Sequence, residues 1–430
     1  MKEKIIEGKI DVNLASIYEK IECGHYEEAL SMMNQYKQIA TDEELFSLAE
    51  LYQQLGFSDE GLELIIRLVK KYPTNSSLLL AKSEALIDLG KEEEAISVLY
   101  SIEKIDENYV SSLLLLADIY EMQGLTEVSE QKLLEAYGQD PKSHLLSFAL
   151  AEFYTAEKEP VKAIQFYEEV LKETDTVLDT NIHLQIGKAL SECGKYEKAL
   201  HHFEKGLTKK IELDSLFQAG MTAFYSEKYE LAIQYLKELQ SLDCEYTTLY
   251  YYLAKSYQEI GALKEMKEMV QMGLYYDQHN ARLSYLAAEI AHHEADEEKE
   301  EEYLQQVLQI EENHHEAFSR LLEMWNEQQA YEKMMKKITT STEAKEIPLY
   351  MWYLARAYVE LERYDEALTT FQKAAPFFQE DEGFLGEYAE FLIEEGRREE
   401  ALTCLKKIVT INPLRTDIFD YIDRIEFDDF

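Results

Sequence analysis

The sequence predicts an all-α fold, a solenoid of paired antiparallel helices, and three observations carry that prediction. First, a turn followed by an amphipathic segment recurs: GHYEEAL begins at Gly24, GKEEEAI at Gly90, GKYEKAL at Gly194, ERYDEAL at Glu362 and GRREEAL at Gly396. Second, the small residue five places after each start belongs to a ladder of anchors. These are Ala29, Gly61, Ala95, Ser129, Ala163, Ala199, Ala232, Met266, Glu300, Met334, Ala367 and Ala401, with steps of 32 to 36 residues. A period near 34 is the mark of stacked helix pairs. Third, a column not used to find this register, twelve places before each anchor, is Gly, Ala or Ser everywhere except Ile17 and Leu322. Small residues at two fixed places let two helices approach closely.

Within each period the first helix precedes the turn and the second carries the anchor. LLLLADIYEMQG and LYYYLAKSYQEIG place apolar residues at i, i+3 and i+4, the spacing of one helical face. Nine places before the anchor stand Tyr52, Tyr120, Tyr154, Tyr257, Trp325 and Tyr358, aromatic fillers for the wider gaps between helices. Pro73, Pro141 and Pro413 close three second helices twelve places after the anchor. Two repeats fit badly: Glu300 stands at an anchor, and Leu322 and Met334 fill both small positions of the tenth. These read either as a looser interface or hinge, or as local repacking.

Composition narrows the partner class. The 430 residues carry 43 Lys and Arg against 85 Asp and Glu, a formal net charge of -42. Such a surface repels phosphate backbones and anionic lipid, so neither nucleic acid nor membrane is an expected partner. The same charge also serves solubility. With no Pro/Gly/Ser-rich linker, one continuous body is expected. Four scattered cysteines, without a C-x-x-C pair, suit a reducing compartment. The charged start MKEKIIEGKI and the lack of a long apolar run point to a soluble, cytoplasmic protein.

These columns resemble the tetratricopeptide repeat family: small residue, Tyr, turn Gly, small residue, then an aromatic such as Phe203 or Phe371, and sometimes a closing Pro. The resemblance covers residues 10–415, about twelve repeats, after a short lead-in at 1–9. It implies a right-handed superhelix with a concave groove. The tail LRTDIFDYIDRIEFDDF reads as a capping helix over 416–430, with Leu414, Ile418, Ile422 and Ile425 on one face.

In that family the first helices line the groove, through residues 15, 11, 8 and 7 places before the anchor. The first of these columns holds Phe46, Leu114, Phe148, Phe217, Tyr251, Tyr285 and Trp352, along with Leu14, Leu80 and Leu184. It reads either as inter-repeat core or as an apolar track for a partner. The second column holds Glu50, Glu84, Asp118 and Glu152 in four successive repeats, and Asp88 and Glu121 continue the acid. An acidic groove with an apolar floor calls for a basic protein or peptide segment with Leu or aromatic anchors. The Lys, Asn and Arg clamp by which some family members grip acidic chaperone tails is absent here.

No catalytic constellation, cofactor or metal site is expected. Neither a G-x-G-x-x-G nor a G-x-x-x-x-G-K-[ST] phosphate cradle occurs, nor does a G-x-S-x-G elbow or H-E-x-x-H. Glu289 with His292 is half of a di-metal carboxylate motif whose second half is missing. The doublets His201-His202, His292-His293 and His314-His315 read as solvated or partly packed side chains. The expected function is a non-enzymatic interaction scaffold. The alternative is a peptide-responsive regulator whose superhelix changes pitch on binding.

Overall fold

The computed structural model describes residues 13–427. The expected lead-in at 1–9 and the last three residues of the expected capping helix lie outside the described residues. Twenty-five α-helices run from Leu14–Glu22 to Thr416–Phe427, interrupted by a 3-10 turn, Ala344–Glu346, and one small hairpin.

The first twenty-four helices alternate as the two columns require. Each anchor lies in the second helix of a pair, the residue twelve places before it lies in the first, and all of them are buried. The reason for small residues is visible at Gly61, where a Cβ would sit 2.9 Å from the backbone oxygen of Ala49, its own column partner. Even Ala would press on backbone there.

Each pair is joined by a tight turn, and its geometry is the same throughout. The residue five places before every anchor has positive φ: 68° to 80° at seven glycines, and 55° to 59° at Lys158, Glu227, Ala295, Gln329 and Glu362. In the first turn the Gly24 N–H donates to the Ile21 carbonyl and the His25 N–H to the Lys20 carbonyl, both at 2.9 Å. Such reversed bonds satisfy carbonyls that a helix end leaves open. Entry to many first helices is capped: Asn75, Ser143, Asn181, Asn280 and Asp381 accept from backbone N–H groups of the first turn, and Thr41 forms a reciprocal box with Glu44.

The longest step in the ladder, Ala163 to Ala199, contains the hairpin. Thr176–Val177 pairs antiparallel with Thr180–Asn181, and Leu178 and Asp179 turn the tip with φ of 45° and 66°. The two extra residues of that step are spent between helices, so the register resumes unchanged.

Where the sequence suggests one body, the packing divides into two compact units, Met1–Thr222 and Ala223–Phe430, with the boundary inside the helix Leu213–Tyr225. The first holds a core reaching from Ile17 to Leu146. In the second a core runs from Ala281 to Ile422, against which Ile418 and Ile425 pack. Leu414, expected on the same capping face, is instead 87% exposed, because it precedes the helix that carries the other three. No described helix is long and apolar enough to cross a membrane.

Candidate functional site

In the first unit the six candidate acids, Glu50, Glu84, Asp88, Asp118, Glu121 and Glu152, all reach solvent, though protein atoms crowd the carboxyls of Glu84 and Asp118. They come from the first helices Asp42–Gln54, Ser76–Asp88, Tyr109–Met122 and His144–Ala156, whose other faces are buried by the packing columns. The Glu84 carboxyl is pushed above the usual carboxylate range, first by partial burial and then by the charges of Asp88 and Glu50. Burial alone raises Asp118. Glu152 is better satisfied, accepting from the Tyr167 hydroxyl at 2.5 Å.

Seven lysines of the first unit are engaged elsewhere. Lys20, Lys71, Lys104, Lys132, Lys162, Lys209 and Lys210 pair with Glu28, Asp42, Glu130, Glu135, Glu159, Asp175, Asp179 and Glu212, none of them from the candidate set. The apolar column is divided. Phe46 and Leu114 are half-buried, whereas Phe148 and Phe217 are buried, Phe148 lying 6.4 Å from the Tyr167 ring. A cavity of about 760 Å³ opens beside Phe46, with Leu68, Tyr72 and Leu78 also in its wall.

The second unit treats its inward positions differently. Tyr251 is half-buried with the Arg282 guanidinium 5.5 Å from its ring centre, and Tyr285 lies 5.0 Å from His314. The Trp352 Nε1–H donates to Glu387 at 2.8 Å, while Arg356 sits 5.6 Å from the Trp352 ring and pairs with the same carboxylate. Lys255 stands 3.9 Å from Glu289, and Arg320 bridges Glu300 and Glu323. Several acids here are thus met by the unit's own bases. Sequence reasoning singled out Trp352 but missed its bond to Glu387, 35 residues away, and the pairing of Arg356 with the same carboxylate across 31 residues.

Glu300 is the sharpest departure from the repeat. It is 3% exposed at a position that takes an uncharged residue in every other repeat, and its oxygens take bonds from Arg320 Nε at 2.7 Å and face His292 Nδ1 at 3.1 Å. Elsewhere, His183 and His202 meet through their Nδ1 atoms at 3.1 Å, and burial pushes His202 down to about 4. Among the described residues no group of three or more His, Cys, Asp and Glu could hold a metal ion.

The comparisons agree along the chain. Models of YpiA-like tetratricopeptide repeats match residues 121–175 and, as the C-terminal repeats of that family, residues 348–414. General tetratricopeptide repeat models match 46–110, 180–208 and 213–243. A solved tetratricopeptide protein, YrrB, described as having an unusual peptide-binding site, is 20% identical with a TM-score of 0.38, over 44% of this chain and 96% of that one. The Cut9–Hcn1 hetero-tetramer structure is 13% identical with a TM-score of 0.32, over 95% of each chain. The TPR repeat-containing protein YpiA of Bacillus subtilis (strain 168) is 35% identical over 407 residues, 94% of this chain and 96% of that protein. Register, turn geometry and this full-length likeness coincide, and the chain belongs to the YpiA-like family of tetratricopeptide repeat proteins.

Proposed function

We propose that this chain is a non-catalytic scaffold that binds a basic, partly apolar protein segment along the acidic face of its first unit. The observation that carries this reading is the run of acids Glu50, Glu84 and Asp88, where partial burial and then the charges of Asp88 and Glu50 raise the Glu84 carboxyl. Like charges brought together destabilise a fold unless a counter-charge arrives. A Lys- or Arg-bearing segment supplies one, and half-buried Phe46 and Leu114 offer apolar contact beside it. In the second unit Arg320 and Arg356 already answer Glu300 and Glu387, so these two carboxylates are not open to a partner.

The test is the triple reversal E50K/E84K/D118K, with helicity followed by circular dichroism. The reading expects retained helicity and loss of binding to a Lys- and Leu-bearing peptide by at least about tenfold, the equivalent of about 1.4 kcal/mol. Unchanged binding in a folded triple variant rejects the acidic face as the docking surface.

A further inference from the structure

The second helix of the sixth repeat, Tyr196–Leu207, carries a basic stripe that the repeat does not require. Lys195, Lys198, His202, Lys205 and Lys209 follow one another at steps of three, four, three and four residues, from the N-cap to just past the C-cap. That spacing places them on one face of the helix, and the two acids, Glu197 and Glu204, fall off it. In no other repeat do the five equivalent positions, counted from the anchor, hold more than two basic residues. The stripe stands in a chain of 85 acids against 43 Lys and Arg, so composition does not account for it.

Three of these lysines are open. Lys209 pairs with Asp175, and His202 faces His183. Lys195, Lys198 and Lys205 are exposed, and among the described residues none of them has an ion-pair partner. A cavity of about 500 Å³ opens beside them, with Lys195, Lys198, His201 and His202 in its wall and Ile164 and Leu190 as its apolar part. Of the two acids in that wall, Glu197 has a partner of its own, and Glu168 pairs with none of these bases among the described residues. Like charges side by side on a helix disfavour it, and here the chain supplies no acid to relieve them.

We propose that this stripe docks an acidic helical segment of a partner protein, whose carboxylates pair with Lys195, Lys198 and Lys205. Two helices laid side by side bring charges at three- and four-residue spacing into register, as along the flanks of a coiled coil. The cavity leaves room for a side chain of that segment beside Ile164 and Leu190. A nucleic-acid backbone is the poorer fit, because it runs on beyond the roughly 20 Å of the stripe into the repulsion of a chain whose net charge is -42. The stripe lies on a second helix and does not depend on the acidic columns of the first helices.

The experiment follows the fluorescence anisotropy of a labelled alanine-based helical peptide, with Glu at three- and four-residue steps along one face, as the full chain is added at low salt. Its Gln counterpart and a peptide alternating Glu and Leu serve as controls. The Glu helix alone is expected to bind, since an extended alternating peptide spaces its acids about 7 Å apart and falls out of step with the stripe. K195E/K198E/K205E is expected to weaken binding at least about tenfold with helicity unchanged, and the milder K195Q/K198Q/K205Q to weaken it in the same direction. E50K/E84K/D118K is expected to leave it intact, which separates this site from the acidic face. Equal binding of the Gln helix, or binding undiminished in K195Q/K198Q/K205Q, would overturn the proposal. So would tighter binding of a single-stranded DNA of equal charge, or self-association of the chain that K195Q/K198Q/K205Q abolishes, since either gives the stripe another occupant.

Discussion

Glu300 Oε1 accepts a hydrogen bond from Arg320 Nε at 2.7 Å, inside a helix interface where the other repeats place an uncharged residue. Arg320 follows twenty residues later, on the first helix of the next pair, so the bond ties neighbouring repeats together. Removing one member of a buried pair strands the other charge, which costs about 3–5 kcal/mol, whereas removing both is often neutral. Arg320 is itself 29% exposed and His292 also faces Glu300, so Arg320→Ala is expected to lower stability by less than this, about 1–2 kcal/mol. The double variant E300A/R320A, which restores the Ala of the column, is expected to regain most of that loss. Denaturant unfolding of the two single variants and the double variant checks this; additive losses would show that the two side chains do not act together.

The turn column offers a second test. Lys158, Glu227, Gln329 and Glu362 hold φ between 55° and 59°, a region in which L side chains are strained and glycine is not. Each substitution to Gly is expected to stabilise the chain by about 0.5–1 kcal/mol, since the relief of strain exceeds the entropy that Gly adds to the unfolded state. Gly56→Ala, at φ 80°, should shift the melting temperature the other way. Thermal melts of the five variants read both signs directly.

A third prediction concerns pH. The folded-state affinity of Glu84 for a proton is raised by partial burial and by Asp88 and Glu50, and that of Asp118 by burial. The folded chain therefore binds a proton at these sites more readily than the unfolded chain does, and their contribution to stability falls as pH rises from the ordinary carboxylate range through the raised one. At neutral pH their charged forms weigh against the fold. E84Q/D118N is expected to melt above the native chain at pH 7, with the gap closing as pH drops to 4. A gap that is absent at pH 7, or that widens in acid, would show that these acids are not under strain.

The repeat was legible in the sequence because packing imposes it locally. Ala49 and Gly61 must both be small since their helices touch, and that demand recurs with every pair. The hairpin at 176–181 was not read from the sequence, although the step that contains it is two residues longer than the period. Charge pairing was not legible. Trp352 and Arg356 meet Glu387, and Glu300 meets Arg320, through rotamer choices across 20 to 35 residues that no periodic column records. The apolar column at the groove positions was ambiguous for a similar reason: Phe46 and Phe148 occupy equivalent places, yet only Phe148 is covered, beside Tyr167 on the second helix of its own pair.

The central claim is that the first unit's unneutralised acids recognise positive charge. It is tested most directly by fluorescence anisotropy of a labelled peptide alternating Lys and Leu, measured between 50 and 500 mM salt, beside the same peptide with Glu in place of Lys. Exposed charges are screened within a Debye length of about 10 Å at 0.1 M salt. The account expects binding of the Lys peptide alone, weakening steadily as salt rises. Equal binding of both peptides, or binding of the Lys peptide that salt does not weaken, would contradict it.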